Sequence, residues 1–129
     1  MPLARISVPE HLSQEQVRAL ADAVHEGLVE TCKVPADDRF QLISRFQPSA
    51  MILNPTFPDV MRTPDASIVE ITFLGGRSDD QKRKLYGYVV EKAVAAGFVP
   101  DDIMITLTEN SPIDWSLGCG RAYDGHSAQ

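Results

Sequence analysis

The strongest constraint on this chain is that it repeats itself. Ser13-Gln14-Glu15-Gln16 returns as Ser78-Asp79-Asp80-Gln81, a shift of 65 (13 to 78). The same shift carries Leu20 onto Leu85, Val24 onto Val89, Val34-Pro35 onto Val99-Pro100 and Asp37 onto Asp102. The Val-Pro match after each helix is independent of the match at the caps, so the pattern reads as two copies of one supersecondary unit. A chain of 129 residues has room for one domain, in which the two copies share a core.

Each copy reads as strand, helix, strand. Ser13 and Ser78 are expected N-caps, each with Gln three residues on, the capping-box pattern that satisfies free backbone donors. Val17, Leu20, Ala21, Val24, Leu28 and Cys32 form one helical stripe; Leu85, Tyr86, Val89, Val90 and Ala93 form the second, with Gly97 as the expected C-cap. The strands are Leu3 to Val8, Phe40 to Phe46, Ile68 to Leu74 and Ile103 to Thr108. The predicted fold is therefore α+β: a tandem β-α-β repeat in which a four-stranded sheet carries two helices on one face, with strands parallel within each unit. The halves span 2–46 and 67–109. They are joined by a connection, 47–66, whose Pro48, Pro55, Pro58 and Pro64 exclude a helix and a central strand, and a tail, 110–129, follows. Two helices cover one sheet face. Ile6, Val8, Ile71 and Phe73 are expected on the other, covered by copies of the chain, a closed ring burying three sheets.

Charge and cysteine usage narrow the function. Acidic residues outnumber basic ones, 18 to 12, which disfavours a nucleic-acid partner. No apolar run reaches the roughly 20 residues of a membrane span, the opening MPLARISVPE lacks the layout of a secretory signal, and Cys32 and Cys119 have neither zinc nor redox spacing. A cytoplasmic protein without metal or cofactor is the expectation.

The residue with chemical promise is Pro2. Initiator Met is removed before small residues, which would leave a secondary amine at the head of a central strand. An α-amine titrates near 7.7–8.0, so its surroundings can make it a general base or a general acid near neutrality.

N-terminal proline, strand, Ser-capped helix, Val-Pro and second strand, followed by the unit again, resembles the tautomerase superfamily. Three segments are similar to those of malonate semialdehyde decarboxylase-like members: Val34-Pro35-Ala36-Asp37-Asp38-Arg39-Phe40-Gln41, Gly76-Arg77-Ser78-Asp79-Asp80-Gln81-Lys82, and Glu109-Asn110-Ser111-Pro112-Ile113-Asp114-Trp115-Ser116-Leu117-Gly118. The resemblance runs from Pro2 to about Tyr123. It implies a cofactor-free enzyme acting on small oxo acids, with Pro2 as catalytic amine and Asp38 assisting it or positioning water. It further implies that Arg77 binds the substrate carboxylate and that Trp115, Leu117 and Tyr123 form an apolar wall. Such decarboxylases carry two arginines spaced two apart after the third strand, and the related cis-3-chloroacrylic acid dehalogenases also use two arginines there. This chain reads Gly75-Gly76-Arg77, which leaves Arg39, Arg45 or Arg62 to substitute, or the second contact absent. A site with one arginine favours keto-enol tautomerisation, which needs less positioning. Decarboxylation of a 3-oxo acid such as malonate semialdehyde, hydration or dehalogenation of small unsaturated acids, and a non-enzymatic trimeric scaffold are the alternatives. A homotrimer is the expected assembly.

Other residues have plainer readings. His25 is expected to be a packed or interface histidine, Cys32 a buried small side chain, and Cys119 unreactive for want of a nearby base.

Overall fold

The computed structural model describes residues 1–125; the last four residues of the tail, 126–129, lie outside the described residues. The elements follow the repeat: β1 (Pro2–Pro9), α1 (Gln14–Cys32), β2 (Gln41–Phe46), β3 (Ser67–Leu74), α2 (Asp79–Ala95) and β4 (Ile103–Asn110), with short 3-10 turns at Pro48–Ala50, Pro100–Asp102 and Pro112–Asp114. The four strands form one sheet in the order β2-β1-β3-β4. Each β-α-β unit contributes a parallel pair, and the units join through the antiparallel β1–β3 pair at the centre, where Pro2 lies opposite Phe73 and Ser7 opposite Ile68.

Both predicted N-caps are present, and they differ. Ser78 and Gln81 make the full reciprocal box: the Gln81 backbone N–H donates to the Ser78 hydroxyl, and the Ser78 backbone N–H donates to the Gln81 side chain. At Ser13 only the first half forms, through the Gln16 backbone N–H. The Gln16 amide is turned instead toward Gly97 at the end of α2. The expected C-cap at Gly97 falls one residue earlier, at Ala96, and Gly97 takes the positive φ (102°) that turns the chain out of the helix. α1 makes its exit with Lys33 in the left-handed region (φ 59°), its N–H bonded to Leu28 O.

The whole α1 stripe is buried, as are Leu85, Val89 and Ala93 of α2; Tyr86, expected in the second stripe, is 37% exposed. Gly27 sits where α1 and α2 meet: a Cβ there would lie 3.1 Å from side-chain carbons of both Leu85 and Val89. That close approach is the reason for glycine in mid-helix, despite its helix-propensity cost.

The expectation for the uncovered sheet face is overturned. Ile6, Val8, Ile71 and Phe73 are at most 1% exposed and belong to the core under the helices. Alternation then puts Leu3, Arg5, Ser7, Leu42, Ile68, Glu70, Thr72, Met104, Thr106 and Thr108 on the open face, with Arg5 directly opposite Glu70. The continuous run of bulky aliphatics goes beneath the helices because that side buries the most apolar area.

The connection 47–66 holds the short Pro48–Ala50 3-10 helix, which the prolines were expected to exclude, and further turns closed by Val60 N–H to Thr56 O and Ala66 N–H to Thr63 O, and it is pinned to the second unit. Thr63 donates its backbone N–H and its hydroxyl to the Asp102 carboxylate, and the Met61 N–H donates to Asp101. Asp102 is 2% exposed, so these bonds compensate a buried charge. Ser67, the repeat counterpart of Pro2, is fully buried and donates its hydroxyl to Asp65 O. The tail forms no hairpin among the described residues. After the Pro112–Asp114 turn it folds back, with the Tyr123 N–H donating to Trp115 O. No helix of the described residues is long and apolar enough to cross a membrane.

Candidate active site

The topology brings several chain segments to one end of the sheet. β1 starts there, β2 starts beside it, and β3 and β4 end there, as the pairs Pro2–Phe73, Ala4–Gln41 and Leu74–Asn110 require. α1 also ends there and α2 begins there, so Cys32, Lys33 and Ser78 join the same rim.

Pro2 is buried at the start of β1, on the helix side of the sheet with Phe73. Asp38 lies in the loop between α1 and β2, held by its N–H to Pro35 O (3.0 Å) and by His25 Nε2 on Ala36 O (2.8 Å). That bond ties His25 of α1 to the loop. Asp38 is 7% exposed, and neither carboxylate oxygen has a hydrogen-bond partner among the described residues. The group facing it is the amino terminus: the Met1 nitrogen is 2.9 Å from Oδ2, and Met1 itself is 7% exposed. A buried carboxylate is costly, and a cation against it offsets that cost.

Arg77 follows β3. Its guanidinium lies over the Phe73 ring, 5.0 Å from the centroid, and donates to Leu74 O (2.8 Å) and, at 3.5 Å, to Cys32 O. Those bonds tie the end of β3 to the end of α1 and occupy part of the guanidinium fork. A cavity of about 260 Å³ opens beside it, lined by Cys32, Lys33, Gly75, Gly76, Arg77 and Gln81. Its lining holds two cations and no carboxylate, against the chain's net charge of −6.

Trp115, Leu117 and Tyr123 are gathered by the tail. The tail leaves β4 beside the cavity, where the Gly75 N–H donates to Asn110 O, and Trp115 Nε1 donates to the Asn110 side chain at 2.6 Å. Tyr123 is 8% exposed and Leu117 48%. Leu117 and Tyr123 line a separate hollow with Gly118, Cys119, Arg121, Ala122 and Asp124. Pro2, Asp38 and Arg77 thus share one end of the sheet, while the expected wall forms its own group within this chain.

None of the three arginines expected to replace the missing one is at the cavity. Arg39 donates to Asp22 (2.7 Å) and Gln41, Arg45 to the carbonyls of Glu10 and Leu12, and Arg62 to those of Asn54 and Phe57. The hydrogen bond from Arg39 holds the Asp22 carboxyl below its usual range, partial burial opposing and Arg18 adding to the effect. Motif reading did not single out Lys33, which lines the cavity. The available signal was a lysine at the left-handed exit of a helix, where glycine or asparagine is usual. Glu109, paired with Lys82 at 3.2 Å, was missed as well; its carboxylate lies 3.9 Å from where a Cβ on Gly75 would stand.

Comparison with known proteins bears on the whole arrangement. A family signature described as "tautomerase enzyme" matches residues 38–118, and a second with the same description matches residues 2–60. The probable tautomerase YusQ of Bacillus subtilis (strain 168) is 30% identical over 123 residues, covering 95% of this chain and 97% of the relative. Among solved structures, a malonate semialdehyde decarboxylase inhibited by 3-bromopropiolate superposes with a TM-score of 0.86 at 37% identity, over 92% of this chain and 91% of that one. Another malonate semialdehyde decarboxylase, described for its decarboxylase and hydratase activities, superposes with a TM-score of 0.85 at 32% identity, over 92% of both chains.

Proposed function

The chain belongs to the tautomerase family of enzymes, and from that premise we propose that it moves protons on small oxo acids, with Pro2 as the acid-base group and Arg77 as the carboxylate anchor. The observation that carries this reading is the buried Asp38 carboxylate, whose one partner among the described residues is the chain's own terminal amine. Once Met1 is removed, the amine at this place is the imino nitrogen of Pro2, and a buried methionine no longer fills the space before it.

The chemistry follows from that placement. The Arg77 fork fixes the orientation of a carboxylate. Pro2, as free base, takes a proton from the carbon beside the carbonyl and returns it at the other end of the enol. Asp38 stabilises the cation formed in between. The buried surroundings strengthen both contacts. Trp115, Leu117 and Tyr123 remain proposed as the apolar wall. The substrate would sit beside them where copies of the chain meet.

Decarboxylation of a 3-oxo acid such as malonate semialdehyde is the second reading, favoured by the activity named for the relatives at 37% and 32% identity. There Pro2, as a cation, would hydrogen-bond the 3-oxo group and draw electrons from the departing carboxylate. Hydration of small unsaturated acids, with Asp38 activating water, ranks third and accords with the hydratase activity named for one of those relatives. A non-enzymatic scaffold has no support in an enzyme family. We place the working molecule as a homotrimer. The open sheet face and apolar side chains such as Ile52, Phe57, Met61 and Ile113, all at least 72% exposed, need cover.

The test is ketonisation of the enol of phenylpyruvate by protein whose mass shows Met1 absent. Pro2→Ala should lower the rate by about 100-fold or more. Equal rates for the two proteins would overturn the proposal.

A further inference from the structure

Asp37 and Asp38 are adjacent and carry the same charge, yet Asp38 is buried and Asp37 exposed. The turn that makes this choice is therefore part of the site. The Asp38 side chain cannot fix itself there, because its one partner among the described residues is the terminal amine. Its own N–H to Pro35 O shapes the turn without tying it to the helix layer. Side chains of α1 do that, on both sides of Asp38. Before it, His25 Nε2 donates to Ala36 O at 2.8 Å; a carbonyl only accepts, so this ring nitrogen carries the hydrogen. After it, Arg39 Nη2 donates to Asp22 Oδ1 at 2.7 Å, and that bond keeps the Asp22 carboxyl below its usual range. Asp22 and His25 are three residues apart and share a helix face. Arg39 Nε also donates to the Gln41 side chain, which donates in turn to Ala21 O, so the grip continues into β2. Phe40 O accepts from the Ala4 N–H at 3.0 Å, which joins the same loop to the strand that Pro2 opens.

We propose that His25 and the Asp22–Arg39 pair are positioning residues for the acid-base centre: by clasping Ala36 and Arg39 to α1 they turn Asp38, rather than Asp37, onto the terminal amine. This rests on the reading of Pro2 as the acid-base group. The three side chains act through Asp38 and not on substrate. A carboxylate close to an amine favours its charged form, and the effect weakens as the two separate. The clasp thus sets the pH at which Pro2 changes from acid to base. Loosening either half frees the turn, and a buried carboxylate freed in this way moves toward water, where its charge is solvated. The amine then titrates at lower pH.

The plain alternative is a clasp that only stabilises the junction of α1 and β2. Titration of the terminal amine separates the two. Protein with isotope-labelled proline nitrogen, its mass showing Met1 absent, lets NMR follow the Pro2 nitrogen against pH. His25→Ala and Arg39→Met should each move the titration down by about 0.5–1 pH unit, a fraction of the roughly one to three units that a close charge partner supplies. His25→Gln keeps a donor for Ala36 O, has no titrating ring, and should restore the wild-type titration. In an Asp38→Asn background His25→Ala should add no further shift, because the carboxylate it positions is gone. Where the enol of phenylpyruvate is turned over, the limb of kcat/KM that reports Pro2 should shift equally, with KM within about twofold of wild type. A wild-type titration in both His25→Ala and Arg39→Met, whatever their melting temperatures, overturns the proposal. So does a His25→Ala shift that persists undiminished in Asp38→Asn. Failure of the enzymatic reading stays distinct: equal ketonisation by wild type and Pro2→Ala rejects the catalytic amine, while the NMR titration still decides the clasp.

Discussion

Arg77→Ala separates two roles that one side chain combines. In the folded chain the guanidinium bonds Leu74 O at 2.8 Å, approaches Cys32 O at 3.5 Å and covers the Phe73 ring. The short bond contributes about 1–1.5 kcal/mol in a half-buried setting and the cation–π contact about 0.5 kcal/mol, while the long contact adds little. Their loss should lower the melting temperature by about 4–8 °C for a domain of this size. If Arg77 also anchors substrate, a charge-assisted bond of about 1.5–3 kcal/mol disappears as well, and kcat/KM should fall about 10- to 150-fold. Enol ketonisation at a temperature well below both melting points reads the second effect, and thermal unfolding reads the first. Arg77→Lys keeps a charge without the fork and should fall between the two. A variant that melts lower yet keeps kcat/KM within about twofold of wild type would show a purely structural arginine and refute the anchor.

Two more outcomes can be checked. Gly75→Arg should fold, because a Cβ there meets nothing closer than 3.7 Å; but the new guanidinium would sit beside the Glu109 carboxylate, so a gain in malonate semialdehyde decarboxylation is expected from Gly75→Arg/Glu109→Gln more than from the single change, and product assays showing no gain in either would point to another substrate. The Asp22 carboxyl is depressed by the Arg39 hydrogen bond, so the pair's contribution to stability is fully present above the ordinary carboxylate pKa of about 4 and is lost as pH falls through the lower folded value. Both side chains are partly exposed, which limits the effect to about 1 kcal/mol; melting curves of wild type and Arg39→Ala should differ at pH 6 and converge near pH 2, and a constant difference across that range would exclude the linkage.

How far the sequence carried this reading can be judged residue by residue. The repeat placed both helices and all four strands because caps and stripes are local signals, and Ser13, Ser78, Val24 and Val89 stand where the pattern required. The sidedness of the sheet was misjudged. Ile6 and Phe73 look alike to either face in a strand, and only the positions of Arg5 and Glu70, opposite one another on the open side, reveal which face the helices leave bare. The shared placement of Pro2, Asp38 and Arg77 was legible through family segments and topology, since β1 must begin where β3 ends. Lys33 was hidden because its closeness to Arg77 depends on where α1 stops, across 44 positions of chain (33 to 77), and no spacing rule reports that. The competing engagements of Arg39, Arg45 and Arg62 are tertiary facts of the same kind.

The antiparallel seam between β1 and β3 makes the two ends of the sheet near twins in backbone, yet they differ in covalent bonding. Pro2 opens one end; its twin Ser67 is threaded behind Ala66 in mid-chain, so its nitrogen is an amide and can never become an amine. Duplication of the unit therefore doubles the scaffold without doubling the proposed reactive centre. The far end, which has no such terminus, is where Asp102 instead grips the connection, so the repeat gives its two ends different tasks: one is left for a chain terminus, the other is a fastening.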